Sequence, residues 1–420
     1  MLPHPPSPHP SSPDDPARLP APGADALAHS DRLAGLIRAQ IQGAGGAIPF
    51  SRFMELCLYA PGLGYYSAGA TKFGAAGDFI TAPELGPLFA ACVADSLAPV
   101  LQQLGPGADI VELGGGSGAF AEVALKKLLA LDALPSRYAI LEPSADLRLR
   151  QQERLRQHLN PLLYDLVEWL DAPPQAPWDG VLFANEVIDA LPTPRFTLRD
   201  GEVFEEYVAL DGEGRFVRTD RPADALLAAA VRHVERQRSE GPLSDGPLSN
   251  GQFPDGYRSE LLPQLPYWIQ AVIGGMRSGA MLFVDYGYPR GEYYSAQRSD
   301  GTLRAFYRHR MREDVYAWPG LQDITASVDF TALAEAGTNA GFDLAGYCAQ
   351  ASFLIGNGLE DNLASAESRA QDEAGRYRLR QEAKHLTLPG EMGERFQVMG
   401  FQRDVEFGVA FLVGDLSWRL

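Results

Sequence analysis

The sequence predicts an α/β fold built on a mainly parallel, doubly wound sheet, and three observations carry that expectation. From about residue 105 onward, short apolar runs alternate with stretches of helical periodicity. One run, Ile110-Val111-Glu112-Leu113, gives way to Gly114, Gly116 and Gly118. The helical pattern Ala119-Phe120-Ala121-Glu122-Val123-Ala124-Leu125 follows. That order of strand, glycine turn and helix is the place where a ligand meets bare backbone. Finally, several runs end on carboxylates or amides, at Glu142, Asn185-Glu186 and Asp285. Sheets of this class bind their ligands at those strand ends.

Residues 1–24, rich in Pro, Ser, Ala and His, are expected to form a disordered tail. Residues 25–104 are expected to be a helical region without strands. Its first helix spans 25–42 (Leu27, Leu33, Leu36, Ile37, Ile41), with Ser30 or Asp31 as cap, and a second spans 50–58. The first half of the core, 105–194, then holds strands at 109–113, 137–141, 163–167 and 180–184. Helices at 119–131 and 144–158 alternate with them. In 195–258 the turn signals Arg199-Asp200-Gly201-Glu202 and Asp211-Gly212-Glu213-Gly214 predict an inserted antiparallel hairpin, and 239–256 a long mobile loop. The second half, 259–420, is expected to contain a helix at 261–276, a strand at 280–284 and a loop-rich stretch over 286–328. Helices at 330–340 and 363–385 follow, and segments 396–401 and 408–413 are expected to pair antiparallel at the sheet edge.

The 420 residues carry a net charge of −18, with 45% hydrophobic and 21% charged residues. That is a globular composition whose surface repels nucleic acid and anionic lipid, so no nucleic-acid partner is expected. No apolar run approaches the ~20 residues of a membrane span. Cys57, Cys92 and Cys348 are far apart and the histidines scattered, so neither a disulfide framework nor a metal site is expected. The N-terminus lacks both a secretory pattern and an Arg-rich amphipathic one, which predicts a cytoplasmic protein.

The glycine loop fits two patterns: Gly114-x-Gly116-x-x-Ala119 matches dinucleotide sites, and Gly114-x-Gly116-x-Gly118 matches S-adenosylmethionine enzymes. Glu142 serves either, since both place an acid on the ribose hydroxyls. Glu112 discriminates, because an acid facing a pyrophosphate is unfavourable whereas a cationic cofactor welcomes it. In Asn185-Glu186-Val187-Ile188-Asp189-Ala190-Leu191-Pro192, one helical turn would bring Glu186 and Asp189 together as paired carboxylates for a guanidinium or ammonium.

Six segments occur in this order: Gly77-Asp78-Phe79-Ile80-Thr81-Ala82-Pro83-Glu84, Val111-Glu112-Leu113-Gly114, Asn185-Glu186…Asp189-Ala190-Leu191-Pro192, Val284-Asp285-Tyr286-Gly287, Asp329-Phe330-Thr331 and Met392-Gly393-Glu394-Arg395-Phe396. From about residue 45 to about 400 the chain resembles the MidA-type methyltransferases. Mitochondrial members of that family are arginine methyltransferases assisting respiratory complex I assembly. The family commonly has Pro and Arg where this chain has Gly115 and Ser117, and its mitochondrial members tend to have His where Asn185 stands.

The resemblance implies a Rossmann-like, seven-stranded class I methyltransferase sheet with an antiparallel last strand, and S-adenosylmethionine as cofactor. It implies Gly114, Gly116 and Gly118 beneath the methionine portion, Glu142 on the ribose, and Asp78, Phe79 and Thr81 closing over the cofactor. Trp169 would touch adenine, and Asn185, Glu186 and Asp189 would form the catalytic set beside the acceptor. The implied acceptor is an arginine of a protein, such as a complex I subunit. Tyr286 is a further candidate for the acceptor pocket. Arg304, Arg308, Arg310 and Arg312, with Phe306 and Tyr307, are expected to be a solvated strip. Two other classes fit parts of the pattern: a nicotinamide-dependent oxidoreductase, which Glu112 opposes, and a non-catalytic assembly factor that keeps the pocket.

Overall fold

The computed structural model describes residues 22–68, 81–240, 251–308, 310–312 and 314–420. Nearly all of the expected 1–24 tail, residues 241–250 of the expected mobile loop, and Asp78 and Phe79 lie outside the described residues.

The central sheet is formed by β1 (Asp109–Leu113), β2 (Arg137–Leu141), β3 (Val167–Leu170), β4 (Trp178–Asn185), β5 (Met276–Tyr288), β6 (Asp343–Ala349) and β7 (Phe396–Arg403). β1 to β5 run parallel, and β7 lies antiparallel between β5 and β6, giving the order 3-2-1-4-5-7-6. The two-residue strand Val328–Asp329 extends the far end of β5. Because β2 and β4 flank β1, the order reverses there, and a crevice opens between the C-terminal ends of β1 and β4.

Helices cover both faces, which is why the central strands read as continuous apolar runs. On one face Ile110, Tyr138, Ile140, Val181 and Phe183 pack against helices Leu88–Leu104 and Ala119–Ala130. On the other, Val111, Ala139, Leu182 and Phe283 pack against Leu265–Ile273 and Phe330–Asn339. Phe120 stacks on Phe183 with ring centroids 4.1 Å apart. That contact anchors the helix after the glycine loop to β4, and truncating either ring to alanine costs about 3–5 kcal/mol.

The inserted region is antiparallel as expected. Arg195–Arg199, Glu202–Leu210 and Phe216–Pro222 form one sheet with Arg258–Glu260 and with Ala47–Pro49. Ala47–Pro49 corrects the expectation of a strand-free prelude; its partner, Tyr207 to Ala209, is distant in sequence. Inside this sheet Arg195 and Arg258 are buried against Glu206 and Glu260 at 2.7–3.0 Å, so each buried charge is paired.

Other expectations are corrected by caps and packing. The first helix, Ala24–Gly43, is N-capped by Gly23, and Ser30 lies buried within it. Asn160 caps a short helix, Pro161–Tyr164, through the Leu163 N–H at 3.0 Å, which delays β3 to Val167. The charged helix expected over 363–385 is two, Leu359–Arg369 and Glu373–Thr387, the second capped by Asp372. The stretch 286–328 holds a three-stranded sheet of Arg304–Tyr307, Arg310–Arg312 and Asp323–Thr325. Residues 408–413 form a turn rather than a strand, and β6, which the sequence reading missed, pairs with β7 instead. Among the described residues no helix is long and apolar enough to cross a membrane.

Candidate active site at the crevice beside the first strand

A cavity of about 460 Å³ opens at the crevice. Residues 112–117 and 141–144 line it beside Asn185, Glu186, Asp189 and Leu191. Gly114 and Gly116 hold φ of +64° and +52°, the left-handed region that glycine enters without strain. A Cβ placed on Gly116 meets nothing within 4 Å, so its backbone faces open space. Gly118 caps the following helix and lies beneath Gln151 and Leu155; it does not line the cavity.

Gln151 was not anticipated, yet it ties this half together. Its Nε2 donates to the Gly116 carbonyl at 2.9 Å and to Glu142 Oε2 at 3.3 Å, while its Oε1 accepts the Trp169 indole N–H at 2.9 Å. Trp169 therefore lies on β3 with its indole held by Gln151, and it is not among the residues that line the cavity. Glu142 lines the cavity, with Oε1 accepting the Ser144 N–H at 2.9 Å. Glu112 accepts the Tyr138 hydroxyl at 2.8 Å. Burial pushes its carboxyl up to about 7, and the charge of Glu142 adds to that rise. Thr81 also lines the cavity.

The second half is the segment following β4. Glu186 has φ +54°, and its N–H reaches the Val284 carbonyl at 2.9 Å. The segment is a bend and not the helical turn expected. Asp285 is the reason: its Oδ2 accepts the N–H groups of Ile188 and Asp189 at 3.0 and 3.2 Å. Glu186 and Asp189 nevertheless share one cavity. Tyr286 donates to Asp189 Oδ2 at 2.6 Å, and Asn185 Nδ2 to Glu186 Oε1 at 3.2 Å. Asn185 Oδ1, Glu186 Oε2 and Asp189 Oδ1 are buried with no hydrogen-bond partner among the described residues. Burial and the charge of Asp189 push Glu186 well above the carboxylate range, and burial lifts Asp189 to about 6.

Three further lining residues, Tyr59, Tyr66 and Asp323, carried no expected role. The Tyr-Tyr pair following Gly64 was a visible signal; Asp323 had none. The lining also holds Glu84 and Asp171 against a single arginine, Arg148. A cavity this rich in carboxylate, containing partnerless acceptors, is suited to cationic molecules.

Comparison with known proteins agrees with this geometry. Residues 92–348 match the family described as S-adenosyl-L-methionine-dependent methyltransferases. A Burkholderia thailandensis protein crystallised with S-adenosylhomocysteine is similar over 96% of this chain and 100% of its own, at 42% identity and a TM-score of 0.86. A native crystal structure from the same organism gives 41% identity and a TM-score of 0.82 over the same shares. The Danio rerio protein named protein arginine methyltransferase NDUFAF7, mitochondrial, is 28% identical over 84% of this chain and 83% of its own length. Its Drosophila melanogaster homolog is 28% identical over 92% and 88%. Both relatives are named mitochondrial, which overturns the cytoplasmic expectation. That expectation rested on tail composition and unpaired cysteines, and a reducing milieu is not peculiar to one compartment.

Proposed function

The chain belongs to the S-adenosyl-L-methionine-dependent methyltransferase family, and on that premise we propose that it methylates a guanidinium nitrogen of an arginine in a protein substrate. S-adenosylmethionine is its cofactor, and the residues present suit that group. Open backbone at Gly116 admits close approach, and Asn185 Oδ1 is a buried acceptor still lacking a donor such as an ammonium. Gly114 and Gly116 would hold the methionine portion and Glu142 the ribose hydroxyls. Glu112 would add negative charge nearby, and the region 25–104 would close over the site through Thr81. When bound, the cofactor supplies a methyl group activated by the positive charge on its sulfur.

The observation that carries the acceptor reading is the buried pair Glu186 and Asp189, each with one oxygen lacking a partner. An unpaired buried charge is costly, and a guanidinium satisfies two such oxygens at once. In the reaction a nitrogen–carbon bond forms as the carbon–sulfur bond breaks, and the methylated nitrogen then releases a proton. Glu186 and Asp189 would orient the acceptor in line and receive that proton, for which their raised proton affinity suits them. The names of the relatives support arginine as acceptor, and the resemblance makes a respiratory complex I subunit the first substrate to try.

The test is incubation of the protein with isotopically labelled S-adenosylmethionine and a proteome extract, with the labelled residue located by mass spectrometry. Label on arginine supports the reading; label on any other residue type, or none, refutes it.

A further inference from the structure

We propose that Asp323 and Tyr66, from segments outside the central sheet, form with Glu186 and Asp189 the acceptor-selecting end of the cavity, one that prefers a planar guanidinium to an ammonium. This inference rests on the arginine reading above.

Asp323 opens the strand Asp323–Thr325, whose register against Arg304–Tyr307 places it opposite Phe306. It is 5% exposed and lines the same cavity as Glu186 and Asp189. Tyr66 donates to Asp323 Oδ1 at 2.9 Å, across 257 residues of chain. The Tyr66 ring stacks on Tyr59 with centroids 5.5 Å apart and planes inclined by 25°. Tyr59 in turn donates to the Ala190 carbonyl at 2.9 Å, beside Asp189. A continuous set of contacts therefore runs from Asp189 through Ala190 and two stacked tyrosines to Asp323.

The parts come from three places: the bend after β4, the segment following helix Phe50–Tyr59, and the three-stranded sheet. Nothing in helix or sheet geometry requires them to converge. Convergence concentrates negative charge, and the charge of Asp323 contributes to the raised proton affinity of both Glu186 and Tyr66.

Carboxylates held in fixed positions from different directions match the rigid donor fork of a guanidinium. A lysine ammonium is a compact, strongly hydrated point charge and gains less from that spread. Tyrosine faces favour the flat cation further. The Tyr66 contact orients Asp323 toward the cavity it lines.

The experiment measures binding of N-acetyl-arginine methylamide and its lysine counterpart to the full chain saturated with S-adenosylhomocysteine, by calorimetry. Wild type, Asp323→Asn and Tyr66→Phe are compared. Asp323→Asn is expected to weaken the arginine probe about tenfold and the lysine probe much less, because a charge-assisted bond is lost. Tyr66→Phe keeps the ring but removes one hydrogen bond that orients the carboxylate, and about a threefold loss is expected. Affinity for S-adenosylhomocysteine should change less than about twofold in both, and its stabilisation of each variant verifies folding. If Asp323→Asn does not fold, Tyr66→Phe alone decides.

If wild type prefers the arginine probe and the folded variants keep that preference undiminished, this assignment is overturned while the arginine reading stands. If wild type shows no preference and the proteome label falls on another residue type, the arginine reading itself fails.

Discussion

The phenol of Tyr286 donates to Asp189 Oδ2 at 2.6 Å, so one oxygen of this carboxylate is committed and Oδ1 is left bare. Asp285, the preceding residue, holds the Asp189 backbone through its N–H at 3.2 Å. Two consecutive residues of β5 thus fix both the position and the rotation of a side chain on the neighbouring strand's loop.

Removing the phenol in Tyr286→Phe should move the pH dependence of catalysis. Its hydrogen bond favours the ionised form of Asp189, whose carboxyl titrates at about 6. Without it the proton is held more tightly, so the acid limb of the kcat profile should shift to higher pH, with about a tenfold lower rate near pH 6. An unshifted limb would mean that Asp189 does not titrate in turnover.

Glu186→Gln preserves shape and removes an ionisable carboxyl from the place proposed for the acceptor. We expect methyl transfer to fall about a hundredfold or more, since preorganised charge is lost. S-adenosylhomocysteine affinity by calorimetry should stay within about threefold. Normal turnover by this variant would falsify the role proposed for Glu186.

Glu112 links burial to stability without reference to substrate. Its carboxyl is raised from 4.5 to about 7, chiefly by burial, so the folded protein holds the proton more tightly than the unfolded chain. Its contribution is therefore favourable at low pH and is lost as pH rises through that window. Glu112→Gln cannot ionise and retains an acceptor for Tyr138. In urea unfolding of the ligand-free protein, the variant should gain on wild type between pH 5 and pH 8, by on the order of 3 kcal/mol at most. An equal pH slope in the two proteins excludes this account.

Gly116→Ala separates ligand space from fold. The added Cβ meets no protein atom within 4 Å, but φ is +52°. Strain of about 1–2 kcal/mol should lower the melting temperature modestly. The methyl group would occupy cavity space proposed for the cofactor, so S-adenosylhomocysteine binding should weaken more than about tenfold. Unimpaired binding would place the cofactor away from this loop.

What could be read in the chain followed from local chemistry. β1, β2 and the helix after the glycines are recognisable because apolar periodicity and glycine placement are properties of neighbouring residues. β6 was not legible, because Gly346 interrupts its pattern and the surface there is completed by Phe411. A Cβ on Gly346 or Gly400 would lie 2.4–2.5 Å from Phe411. The same packing explains the 408–413 error: that apolar segment covers β6 and β7 and does not join them.

The candidate site divides in the same way. The amino-acid order alone determined the glycine loop and the acids at the ends of β2 and β4, because each lies within a few residues of the strand that presents it; Glu112 and the resemblance to a known family pointed to the class of cofactor. Only the folded chain decided that Gln151 joins Trp169 to Glu142 and the Gly116 carbonyl, that Asp285 bends the segment after β4, and that Asp323 meets Tyr66. Those pairings are hydrogen bonds between side chains or loops brought together by packing, and bonds of that kind leave no periodic trace along the chain.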